Sequence, residues 1–129
     1  MIRIAIAINE SQEIQNEHFG EAYEFKLFDL KAHAVIPQIS IENPARNIDE
    51  HTHGNANKGK QIVKLLSENK VEAVVSQEFG KNIKIINQNF VPIITKNSTI
   101  EKTLSDLRGL IDEIKEAYAQ NPKSLVRIQ

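Results

Sequence analysis

The residues of this chain best suited to chemistry are three histidines in two polar stretches. His51 and His53 stand two apart in the run Asp49-Glu50-His51-Thr52-His53-Gly54-Asn55. In an extended segment, alternate residues project to the same side. Two imidazoles so placed can meet one metal ion or one edge of a metal cluster, and imidazole suits zinc, copper, iron and nickel. His18 lies in a separate polar stretch, Asn9 to Gly20, and completes a trio if the fold brings the two stretches together. A His-x-His pair alone is a weak motif, and solvated loop histidines are the plain alternative. His33, in a short connector, is expected to be solvated.

Other groups can serve the same chemistry. A helix is expected from Lys58 to Asn69, and its unpaired N–H groups and positive dipole end favour an anion. Lys58 and Lys60 add charge there, although either alone reads more readily as an ordinary solvated lysine. Gln77, Glu78 and Gly80 follow a probable parallel strand and open a helix, and ligands of open α/β sheets bind at strand carboxyl ends. Glu78 is open to three roles: oxygen ligand, partner of a histidine, or plain turn residue, the last favoured. Gly20 and Gly54 are expected to supply turns of positive φ. Phe19 and Phe25 are expected in the core.

The elements that must position these groups follow from periodicity. Ile2-Arg3-Ile4-Ala5-Ile6-Ala7-Ile8 alternates with period two and predicts a central strand with its isoleucine face packed by helices. Tyr23 to Leu30 and Val35 to Ile41 predict two more strands. The short Lys31-Ala32-His33 connector makes them an antiparallel hairpin, and Pro37 places the third strand at an edge or at a bulge. Glu42 to Asn57 has no apolar period and predicts a long loop. The helix after it has Ile62, Leu65 and Leu66 on one face and Asn57 as its N-cap.

Val71 to Ser76 and Val91 to Ile94 predict buried strands, with a short helix from Phe79 to Asn87 between them. A final helix is predicted over 99–119, with Ser98 and Glu101 as a capping box, Gly109 weakening its middle and Pro122 beyond its end. The order β-β-β-α-β-α-β-α implies an α/β fold: a mixed five-stranded sheet flanked by helices. Residues 1–122 are expected to form one domain, with 123–129 as a tail that adds a strand or touches a partner.

Composition narrows the functions. The 129 residues contain no cysteine, so no disulfide, thiolate zinc site or cysteine-held iron–sulfur cluster can form. Sixteen basic against seventeen acidic residues leave a net charge of −1, without the electrostatic footprint of a nucleic-acid or anionic-membrane binder. No apolar run approaches the roughly 20 residues that span a bilayer. The N-terminus enters a strand pattern directly, without the apolar core of a signal peptide, and a cytoplasmic location is expected.

Four landmarks stand in a telling order: the opening strand Met1 to Ile8; His18-Phe19-Gly20-Glu21-Ala22 with Phe25 beyond; Asn43-Pro44 followed by His51-Thr52-His53-Gly54 before a helix; and Val71-Glu72-Ala73-Val74-Val75 running to a glycine turn at Gly80. In this the chain resembles the dinitrogenase iron–molybdenum cofactor biosynthesis family, the NifX/NafY-like proteins and the C-terminal region of NifB. The resemblance covers about Met1 to Asn97.

The resemblance implies a ribonuclease-H-like fold without nuclease activity and the binding or carriage of an iron–molybdenum or iron–sulfur type cluster, or its precursor. It raises His18, His51 and His53 as metal ligands, with Gly20, Gly54, Lys58, Glu78 and Gly80 lining the site. It also implies a donor or acceptor protein as partner. Two departures stand out. Gln77-Glu78-Phe79 replaces a glycine pair usual before the Gly80 turn, so that a bulkier, acidic turn narrows the site or adds a ligand. Leu107 to Gln129 extends past the usual family end.

The expected function is therefore a non-enzymatic carrier. One rival is a metal-free interaction module that oligomerises through its last helix or tail. The other is a histidine-ligated metal hydrolase, for which three histidines and an open coordination position suffice. A ribonuclease-H-type nuclease needs converging carboxylates, and the first strand offers only Ile, Arg and Ala.

Overall fold

Alternation along the first strand sets both layers of the molecule. In the computed structural model, which describes residues 1–46 and 56–128, β1 spans Ile2–Ile8. Ile2, Ile4, Ile6 and Ile8 are all buried on one face, against Leu107, Ile114 and Ala117 of the last two helices. Ala5 and Ala7 face the other way, where their small side chains leave room for Ile62, Leu66 and Ile86 of the earlier helices. Both faces of β1 are thus covered, one more than the isoleucine period alone required.

Strand β2 (Glu24–Lys31) pairs antiparallel with β1, and β3 (Ala34–Glu42) pairs antiparallel with β2. The register of β2 and β3 slips between Lys26 and Phe28, where Gln38 and Ile39 lie between Ser40 and Pro37. β3 is also the outermost strand, so Pro37 sits both at an edge and beside a bulge, where its missing N–H costs no ladder bond. Helix α1 (Ala56–Glu68) leads to β4 (Ala73–Ser76), which lies parallel to β1. Asn57 falls inside the first turn of α1 rather than capping it.

A 3₁₀ turn (Gly80–Asn82) and the one-turn helix α2 (Ile83–Ile86) connect β4 to the parallel strand β5 (Val91–Ile94). After α3 (Ile100–Arg108) and α4 (Ile111–Tyr118), β6 (Val126–Arg127) pairs parallel with β5. The sheet therefore has six strands in the order β3-β2-β1-β4-β5-β6, against the five expected. The added strand comes from the tail, whose Val126 and Ile128 are buried in the same cluster as the β1 isoleucines.

Two local expectations are corrected. The N-cap of α3 is Thr99, whose Oγ1 accepts from the Lys102 N–H at 3.3 Å. The backbone carbonyl of Ser98 instead accepts from Ile14 N–H at 2.9 Å, which ties it to the loop after β1. The final helix is not continuous: it breaks at Gly109-Leu110 into α3 and α4.

Gly109 has φ −81° and ψ −4°, an ordinary helical conformation, and an added Cβ would lie 3.6 Å from the Asp106 carbonyl, normal contact. The break therefore does not depend on glycine's special backbone range. Gly109→Ala should leave stability unchanged or raise it by up to about 1 kcal/mol by restricting the unfolded chain. Urea-unfolding midpoints test this, and a clear loss of stability would refute it.

Candidate functional site

The loops after β1, β3 and β4 and the start of α1 converge through their own backbone and buried polar groups. Gln15 N–H donates to the Ala7 carbonyl at 2.8 Å, and the Gln15 carbonyl accepts from Gln77 N–H at 3.0 Å. The buried Gln15 side chain donates through Nε2 to the His18 carbonyl at 3.1 Å. His18 then forms a parallel bridge with Glu78, and Phe19 N–H donates to the Glu78 carbonyl at 2.9 Å. The 3₁₀ turn Phe19–Glu21 follows.

Asn43 closes the next joint. Its buried side chain donates through Nδ2 to the carbonyls of Gly20 at 3.0 Å and Ala22 at 2.9 Å, while its Oδ1 accepts from Ala45 N–H at 3.0 Å. All three bonds lie inside the protein, so the loop after β3 is held to the turn that carries His18.

Lys58, in the first turns of α1, makes the third joint. Its Nζ donates to Glu21 Oε1 at 2.7 Å and to the Arg46 carbonyl at 3.3 Å, and its side chain is only 2% exposed. Lys58 is thus not the solvated lysine that its neighbourhood in the sequence suggested. Burying an ammonium is costly unless it is paired and hydrogen-bonded, and Glu21 supplies the opposite charge. Lys60 is exposed.

His18 itself is exposed, and its ring lies directly over Gly80. An ideal Cβ built on Gly80 would stand 2.8 Å from His18 Cγ and Nδ1 and 3.1 Å from Cδ2. Gly80 has φ +68°, a conformation that side chains rarely adopt. Gly20, expected to fill that role, lies in the 3₁₀ turn and does not have positive φ. Gly54 lies outside the described residues, as do His51 and His53.

The Gln77-Glu78-Phe79 departure resolves into three fates. Gln77 Nε2 donates to the Asn97 carbonyl at 2.9 Å. The Glu78 side chain is exposed, while its carbonyl serves the bridge to the His18 segment. Phe79 turns into the core and stacks on Phe19, centroids 5.2 Å apart at 28°, with Phe25 5.2 Å from Phe19 on a tilted plane. Phe19 and Phe25 are core residues, as expected from sequence.

Among the described residues, no three His, Asp or Glu side chains are placed to hold a metal ion. His18 is the one member of the proposed trio that is described. A polar recess of about 340 Å³ opens along the loop after β1, lined in part by Gln15, Glu17, Glu21, Tyr23 and Arg46 but not by His18. Arg46 pairs with Glu10 and lies 5.2 Å over the Tyr23 ring.

A larger recess, about 720 Å³, lies at the amino ends of β1 and β4 beside Met1, Arg3, Lys70 and Tyr118. There Arg3 is held by Asp29, and we place no chemistry in it. Gln15, Glu21, Asn43 and Arg46 had not been singled out as individual functional residues from sequence. Two of them stand in stretches that the sequence marks, Glu21 after His18-Phe19-Gly20 and Asn43 beside Pro44.

The fold of the chain is similar to the crystal structure of PH0822, with a TM-score of 0.63 and 17% identity over 84% of this chain and 91% of that one. It is also similar to the NMR structure of a candidate NifB protein from Thermotoga, with a TM-score of 0.58 and 19% identity over the whole of both chains. At such identities the likeness concerns the fold. No curated protein matches. The family profile described as "Dinitrogenase iron-molybdenum cofactor" matches residues 1–109, from β1 to the end of α3, and the chain belongs to that family.

Proposed function

We propose that this protein binds and transiently carries an iron–molybdenum or iron–sulfur type cluster, or a precursor of one, at the sheet end where His18 is displayed. Family membership connects the chain with the iron–molybdenum cofactor of dinitrogenase, its binding or its assembly. The observation that carries the proposal is the exposed His18 ring on a turn tied to α1 through Glu21 and Lys58. His53 precedes Lys58 by five residues in the chain.

In this proposal His18, His51 and His53 are the metal ligands. Gly20, Gly54, Glu78 and Gly80 line the site, and Lys58 sets the approach of α1. The donor set suits a cargo better than a resident group. Without cysteine there is no thiolate to hold a cluster permanently, and imidazoles release metal more readily. The protein then acts as a carrier without turnover, in the cytoplasm, handing its cargo from a donor protein to an acceptor protein.

Residues 1–122 serve as the working domain and 123–129 as its tail. The strand order 3-2-1-4-5, with the first three strands antiparallel, supports a ribonuclease-H-like scaffold. β1 supplies no carboxylate for nuclease chemistry. No described helix is long and apolar enough to cross a membrane.

Anaerobic reconstitution with iron, sulfide and molybdate tests the proposal. Wild type should retain metal through gel filtration. His18→Ala and His51→Ala/His53→Ala should each lose most of it. Equal uptake by all three proteins would remove the histidines from the site.

A further inference from the structure

We infer that Gly80 is a positioning residue: its missing side chain leaves the place in which the His18 imidazole is seated. The His18 atoms nearest the virtual Cβ of Gly80 are Cγ, Nδ1 and Cδ2, at 2.8, 2.8 and 3.1 Å. The ring therefore lies over the place that a side chain at position 80 would occupy.

No other residue type can fill this place without moving the ring, because the first side-chain carbon already falls below the 3.0 Å that real Cβ atoms keep from their neighbours. The positive φ of 68° enforces the same choice from the backbone side.

The seat is built from fixed parts. Glu78, two residues before Gly80, bridges to His18, and its carbonyl accepts the Phe19 N–H at 2.9 Å. Phe79 stacks on Phe19, so the residues next to both Gly80 and His18 are locked in the core. An exposed histidine usually samples several rotamers. Here one side of the ring is occupied by backbone, which lowers the ordering cost of binding a ligand through the imidazole. The inference deepens the proposed cargo site and rests on it for the identity of the ligand, though not for the seating of the ring.

The test separates the two. Urea midpoints are measured for wild type, Gly80→Ala, His18→Ala and the double variant, all without metal. Gly80→Ala should destabilise clearly less in the His18→Ala background than in wild type, because only the backbone strain remains once the ring is gone. Equal penalties in both backgrounds would overturn the seating.

The binding consequence is read with zinc as the probe, by long-range ¹H–¹⁵N correlation of the imidazole. Zinc should shift a ring nitrogen of His18 in wild type, and Gly80→Ala should weaken its uptake at least about tenfold, the loss in fixed-ligand geometry that 1.4 kcal/mol represents. Undiminished uptake by a folded Gly80→Ala would overturn the inference. Absence of zinc binding by wild type, with the stability cycle as expected, would sink the cargo proposal but leave the ring contact standing.

Discussion

Phe19→Ala should cost about 3–5 kcal/mol of folding stability, the range for emptying a buried aromatic site. Phe19 is 1% exposed, and its ring lies between Phe25 and Phe79, each 5.2 Å away. Three aromatic rings in contact collapse poorly around a void, which places the expected loss in the upper part of that range. The neighbouring residue gives the control. His18 is exposed, and His18→Ala should change stability by only about 0.5–1 kcal/mol, as is usual for surface substitutions that lose one packing contact. Chemical-denaturation midpoints of the two variants decide the matter. A loss for Phe19→Ala no larger than that for His18→Ala would mean that the aromatic cluster does not anchor the turn.

The second large effect lies at the other end of β1. Arg3 donates through Nε to Asp29 Oδ1 at 2.8 Å and through Nη2 to Oδ2 at 3.0 Å, a bidentate pair in which Asp29 is buried. Gln38 adds a bond to Oδ2 at 2.9 Å from β3, and Arg3 Nη1 also donates to the Asn69 carbonyl at 3.2 Å. Removing one partner of a buried pair costs about 3–5 kcal/mol, and the quarter exposure of Arg3 lowers the expectation for Asp29→Asn to about 2–3 kcal/mol.

The loss depends on pH in a definite direction. The hydrogen bond from Arg3 holds the Asp29 carboxyl below its ordinary value of 3.8, against the opposing cost of burial, with charge attraction to Arg3 and the Gln38 bond adding to the lowering. A depressed folded-state value means that the stabilisation is fully present above the unfolded value and is lost as pH falls through the folded one. The gap between wild type and Asp29→Asn should therefore be constant from neutral pH down to about 5 and shrink below about 4. Urea titrations at pH 7, 5 and 3 measure it, and an unchanged gap at pH 3 would rule out this linkage.

Much of the scaffold was legible because it rests on local pattern. The isoleucine–alanine alternation of β1 survives in the fold, with each face given its own helices. Pro37 marked its strand as an edge because a residue without N–H has few other places in a sheet. Gly109 foretold the weak point of the last helix, although the capping residue moved by one when the Ser98 carbonyl was taken by Ile14.

The site was harder to read because its joints are long-range. Lys58 is buried where Glu21, far away in sequence, meets it, and nothing near either residue announces the pair. Gly80 rather than Gly20 takes the left-handed conformation, since the ring above it comes from a different loop. Asn43 stood out beside Pro44, but its three bonds to the loop 20–22 and to Ala45 needed the fold to be seen.

The two borders of the sheet have a consequence for the molecule in company. An outermost strand is a template on which other chains can zip into growing ribbons. Here one border is interrupted at Pro37 and kinked at Gln38-Ile39, and the other is only two residues long. Neither offers a straight row of amide groups, so fibril-like stacking finds no ready starting edge. If the protein exchanges a cargo with other proteins, as proposed, those encounters fall to its loop-bearing end.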